Sequence, residues 1–333
     1  MSNIHKFLIN VFSISLIIVS IIGAGFFCSV DRTTITSSLR YRHNLLEKTD
    51  SPRIIFVGGS NLRFSLISQM IKDSLNMNPV NTGIFAGFGL KFIIDDIKPY
   101  LRKGDMIVLS PEYHQFYDKA IWGNEQLAQA INICPEDIRF MNWQQMCVLL
   151  KTMPRNNLGK LKATAAEEIF GVLPDIKPYE RYDGMNYYGD TYVHWTEPFE
   201  PWIQDILRGK FNKEAIRVIN EFNSFVTGPL EGKLFVTFPP YPVRGYHANR
   251  SAIDRVEHEL KQQHIPLLGS VQNYLFADSL FFNSSYHLSK VGAELRTNEL
   301  IQNIKSYRQS SKYNMPDYFL ECSIKKAKVT SIK

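Results

Sequence analysis

The 333-residue sequence has no internal repeat and no low-complexity segment, which excludes solenoids, arrays and chains disordered throughout. It lacks a dinucleotide fingerprint: GGSNLR, residues 58–63, follows the first apolar run without the later glycine of G-x-G-x-x-G. The lysine spacing of a phosphate-binding P-loop is missing too. Asp190 and His194, four apart, have no further ligand spacing around them, so neither a metal nor any other cofactor is expected. Basic residues are not interleaved with aromatics on one element, which argues against nucleic acid as a partner.

Charge is absent altogether from residues 7–28, FLINVFSISLIIVSIIGAGFFC. A helix rising about 1.5 Å per residue over such a run spans roughly 33 Å, enough for a bilayer core. Phe26 and Phe27 spoil a small-residue cleavage site, so an uncleaved single-pass signal anchor is expected, without lipidation at Cys28. Lys6 precedes the run while Arg32, Arg40 and Arg42 follow it, the reverse of the usual positive-inside bias, so charge does not orient the domain.

The net charge of +6 is concentrated in residues 303–333, where seven Lys and Arg face only Asp317 and Glu321. That tail reads as a solvated extension, or as an arm for anionic lipid or polysaccharide. Cys134 and Cys147 are either a disulfide or two buried thiols.

What is present alternates. Apolar runs at 53–57 (RIIFV), 79–81, 105–110 (DMIVLS), 234–238 (LFVTF) and 265–268 read as five parallel strands, with helices expected at 62–75, to about 101, at 250–263 and 289–307. Residues 122–225 have mostly helical spacing, broken by an aromatic loop at 179–202, and read as an insertion between strands 3 and 4. The expected architecture is a three-layer α/β/α domain, residues 33–308, on an anchor at 1–32, with a basic tail at 309–333.

Two residues stand out for chemistry. Ser60 follows Gly58 and Gly59 directly after the first strand, where small residues permit a tight strand-to-helix turn and expose a serine hydroxyl at the carboxyl edge of the sheet. The alternative is a serine that caps the next helix. His287 precedes the last helix, and winding of the sheet brings that loop to the same edge, where its imidazole can serve as general base.

The order GGSN, NTGIFAGFG, VLSPEYHQF and YHLSKVGAELRT resembles the SGNH (GDSL-like) hydrolase superfamily over residues 53–307. With the anchor, the SPEY turn and the insertion, it is most similar to members acting on cell-surface polymers, such as those of teichoic acid D-alanylation. The resemblance implies Ser60 as nucleophile and His287 as base. It implies an oxyanion hole from the backbone N–H of Ser60 and of Gly83 or Gly87. It departs twice. Ser110-Pro111-Glu112-Tyr113 replaces an asparagine-bearing block, and Ser284 stands where an aspartate is expected. Asn283 can orient the ring instead, or Asp278 or Asp190 can reach in.

Asn61, Glu112, Tyr113, Asn186, Asp190 and His194 are the expected substrate contacts, since amides, acids and aromatics suit sugar hydroxyls and ring faces. The aromatics of the loop can equally be lid packing. The expected function is hydrolysis or transfer of an O-acyl group, such as acetyl, on a cell-envelope polysaccharide outside the cytoplasm. A multi-pass membrane acyltransferase is the partner that the resemblance implies. The rival is a catalytically silent member that binds polysaccharide or scaffolds the machinery.

Overall fold

A run such as RIIFV has no polar face, so a strand made from it must be covered on both sides. The computed structural model describes residues 3–27, 33–172, 175–200, 206–263 and 265–313. Its strands are β1 (Arg53–Gly58), β2 (Asn78–Asn81), β3 (Met106–Ser110), β4 (Lys233–Thr237), β5 (Tyr241–Pro242), β6 (Leu267–Leu268) and β7 (Leu275–Phe276). Its α-helices are α1 (Asn3–Phe27), α2 (Ser38–Lys48), α3 (Ser60–Ser65), α4 (Ser68–Leu75), α5 (Leu90–Ile97), α6 (Glu125–Ile133), α7 (Trp143–Phe170), α8 (Lys213–Thr227), α9 (Val243–Lys261) and α10 (Lys290–Tyr313).

Five strands form one parallel sheet in the order β2-β1-β3-β4-β6, and β5 pairs with β7 apart from it. Alternate residues of β1 enter different cores. Ile55 and Val57 join side chains of α2, α5, α6, α8 and α9, whereas Ile54 and Phe56 join those of α3, α4 and α10. Period-2 alternation of a wholly apolar strand thus buries both faces of the sheet. The chain winds outward to β2 on one side of β1 and through β3, β4 and β6 on the other. The switch point lies between the ends of β1 and β3, where open α/β sheets place their ligands.

The expected strands are present, with the fifth shortened to Leu267–Leu268. Helical boundaries moved more. The helix expected at 62–75 breaks into α3 and α4, because Leu66 and Ile67 are extended. Asp190 then caps α4, its Oδ2 accepting from Ser68 N at 2.9 Å and its Oδ1 from Ser68 Oγ at 2.8 Å. α2 was not anticipated in the polar stretch before Pro52. The last helix continues to Tyr313, so the beginning of the expected tail is helical, and residues 314–333 lie outside the described residues.

Among the described residues, 3–25 form one helix long and apolar enough to cross a membrane, with mean hydropathy 2.5 and no buried residue in its most apolar 18-residue window. Of the basic residues expected to flank it, Arg42 is fully buried and donates to Asn81 O and Gly189 O, tying α2 to β2 and to the aromatic loop. Arg32 and Cys28 lie outside the described residues. Cys134, at the end of α6, and Cys147, on α7, are separate free thiols.

Candidate active site

β1 must pass into α3 through Gly59 alone, and the space is closed. A Cβ on Gly58 would fall 2.6 Å from Ser110 O, and one on Gly59 would fall 2.6 Å from Ala86 Cβ and 2.7 Å from Glu112 Oε1. Only glycine fits at these two positions. Ser60 comes out half-buried at the carboxyl edge of the sheet.

His287 reaches the same point from 227 residues away, its Nε2 lying 2.9 Å from Ser60 Oγ. Its Nδ1 lies 2.7 Å from Asn283 Oδ1. An amide oxygen only accepts, so Nδ1 carries the ring proton and Nε2 offers its lone pair to the serine hydroxyl. Ser65 sets the height of the loop by donating to Tyr286 O at 3.0 Å and accepting from Leu288 N at 2.9 Å. The imidazole stacks on Phe64 with centroids 4.0 Å apart, and the Arg63 guanidinium lies 4.2 Å from the same ring centroid. Burial, then the charge of Arg63 and the neighbouring His194, hold His287 well below the ordinary imidazole range. At neutral pH it is an uncharged base.

Behind Asn283 stands an acid. Tyr179 OH donates to Glu200 Oε2 at 2.8 Å, and the Asn283 amide lies close enough to both side chains to favour their ionised forms. Neither alternative acid takes its place: Asp278 accepts from Arg244 N at 3.2 Å, and Asp190 is committed to α4.

Of the expected oxyanion donors, Gly83 needs correction. Gly83 N–H is spent on Asn81 Oδ1 at 3.0 Å, and Gly87 packs against Asn124 and Gln126 at the start of α6. The backbone amide of Ala86 lies against Gly59, where a Cβ would meet it at 2.7 Å.

Most expected substrate contacts are also structural. Asn61 is fully buried, its Nδ2 donating to Ser110 O at 3.1 Å and its Oδ1 accepting from Ser110 Oγ at 3.0 Å. Tyr113 is buried edge-on against Tyr241. Asn186 closes its own turn, with Oδ1 accepting from Tyr188 N and Asp190 N, each at 2.9 Å. Asp190 is buried, accepting from Asn81 Nδ2 and Tyr192 OH besides Ser68. His194 is buried with Nε2 2.9 Å from Leu288 O, and burial pushes it down to about 4. The aromatic loop holds the sheet edge together, the packing alternative of its two readings.

Glu112 does face the site. With Ser60, His287, His114, Tyr286 and Arg208 it lines an open cavity of about 540 Å³. Beneath it lies Arg296, fully buried, donating to Asn61 O at 2.6 Å, Asn61 Oδ1 at 3.0 Å and Ser110 Oγ at 3.1 Å. This cation was readable as an anomaly, since it shares the apolar face of Ala293, Leu300 and Ile304. Away from the cleft, donor atoms of His43, Cys134 and Asp137 lie within 4.8 Å of one another. His43 Nε2 is 2.9 Å from Asp96 Oδ1, and Asp137 is buried with its Oδ2 left without a hydrogen-bond partner.

Neither the protein-family models nor the curated proteins compared with this chain match it.

Proposed function

We propose that the chain is a membrane-anchored serine acyl-transfer or ester-hydrolysing protein acting on an O-acylated cell-envelope polysaccharide. In this reading it is a three-layer α/β/α domain of SGNH type, with residues 122–225 inserted between β3 and β4 and the cleft outside the cytoplasm. The observation that carries it is the 2.9 Å approach of Ser60 Oγ to a neutral His287 Nε2 at the mouth of an open cavity. The serine oxygen attacks the acyl carbonyl while its proton passes to Nε2. The tetrahedral adduct expels the sugar oxygen, which takes that proton, leaving an acyl-serine. Water or another sugar hydroxyl then receives the acyl group by the reverse path. A multi-pass membrane acyltransferase that donates the group is the partner in keeping with the resemblance.

Full-length protein in detergent, treated with a fluorophosphonate probe and with p-nitrophenyl acetate, tests this. Labelling and turnover are expected, and both vanish in Ser60→Ala. A second reading, a silent polysaccharide-binding protein, is favoured by the amide on His287 Nδ1. It predicts a folded protein with neither labelling nor turnover.

A further inference from the structure

Acyl transfer needs hydrogen-bond donors where the carbonyl oxygen gains charge. Resting on the acyl-transfer reading, we propose that Glu112 governs this place: its carboxylate fills the oxyanion pocket of the resting protein and must leave before Ser60 is acylated.

Glu112 Oε1 accepts from Asn61 N at 3.1 Å, and lies 3.4 Å from both Asn61 Nδ2 and Ser60 Oγ. A Cβ on Gly59 would lie 2.7 Å from Oε1, so the carboxylate oxygen sits directly against the turn that carries the serine. The backbone N–H of Gln115 also donates to this side chain. All of these partners are donors, the set that an ionised carboxylate accepts from and that a developing oxyanion would need. Two negative oxygens cannot share one pocket.

The serine and its base are therefore aligned while the third requirement of the reaction is occupied. Glu112 has somewhere to go: it borders the open cavity, so rotation of its side chain alone vacates the pocket. Arg296, which feels the Glu112 charge and braces Asn61 from below, keeps the donor loop in place as the carboxylate leaves.

Glu112→Gln preserves size and replaces the charge with an amide whose N–H can turn toward an oxyanion. Fluorophosphonate labelling of Ser60 in the full chain is expected to accelerate roughly tenfold or more, since one such donor is worth about 10²-fold. A rate equal to or below wild type, with Ser60→Ala blank and the variant folded by circular dichroism, overturns the proposal and leaves the acyl-transfer reading standing. Should neither protein be labelled, that reading fails and acetate decides the pocket. Acetate that raises the Tm of Glu112→Gln alone supports occupation by the carboxylate. Acetate that stabilises neither protein, or both alike, overturns it.

Discussion

Two histidines in this chain, His43 and the half-buried His287, have opposite partners. His43, on α2, faces the Asp96 carboxylate at 2.9 Å and stacks on Tyr100 at 4.6 Å. His287 faces the Asn283 amide at 2.7 Å and stacks on Phe64 at 4.0 Å. Burial pulls both toward the neutral form. At His43 the bond to Asp96 and the charges of Asp96 and Asp137 outweigh that pull and raise the pKa. At His287 Arg63 and His194 add to it. Whether the atom beside the ring is charged decides if a buried imidazole is a structural cation or a proton acceptor.

The sharpest way to break the comparison is to remove each ring in turn. His287→Ala is expected to slow fluorophosphonate labelling of Ser60 by about 10³-fold or more in a folded protein. His43→Ala is expected to leave the labelling rate of the folded fraction unchanged while lowering Tm. Equal losses of labelling would erase the distinction.

Exchanging the partner comes next. Asn283→Asp places a carboxylate on Nδ1, and should raise the His287 pKa and the labelling rate at neutral pH. Amide for acid in a serine-protease triad costs about 10⁴ in turnover, which bounds the gain. No change in the NMR titration of His287 would mean that the partner's charge is not the variable.

At the other histidine, Asp96→Asn leaves a buried cation without its carboxylate and should cost about 3–5 kcal/mol in urea unfolding. A loss under about 1 kcal/mol would show that His43 is not held charged.

The smallest effects lie in the pH dependence of stability. His194, pushed down to about 4, contributes stability that is whole above the unfolded value near 6.5 and is lost as pH falls toward 4, up to about 3 kcal/mol. The raised His43 works in the other direction: its contribution is complete below about 6.5 and fades as pH rises through its folded value. Asp137, pushed up to about 7 by burial and then by Asp96, loses stability over about pH 4 to 7. Urea midpoints of His194→Gln should be flatter than wild type below pH 6.5 and parallel to it above. A parallel curve on the acid side would contradict the neutral burial of His194.

Ser60 and His287 were legible because each sits where chain direction leaves little choice, after a glycine pair at a strand end and before a terminal helix. Asn283 was legible as a neighbour four residues from the histidine, but the nearness of Glu200 was not, since nothing local ties residues 200 and 283. Asp190 misled for the opposite reason. An acid in an aromatic, amide-rich loop looks like a sugar contact, yet here it caps α4 from 122 residues away. Gly83 misled because its free N–H could be counted in sequence, whereas its partner Asn81 Oδ1 could not.

The sequence by itself determined the alternation of strands and helices, the apolar N-terminal helix and the identity of the serine and histidine, because periodicity and glycine spacing are local properties that survive without coordinates. Only the tertiary structure decided which polar groups are already spent. A hydrogen bond consumes a donor or acceptor wherever its partner lies in the chain, so Gly83, Asn61 and Asp190 are committed to the scaffold. The same geometry, which no spacing rule encodes, sets Glu112 beside Ser60.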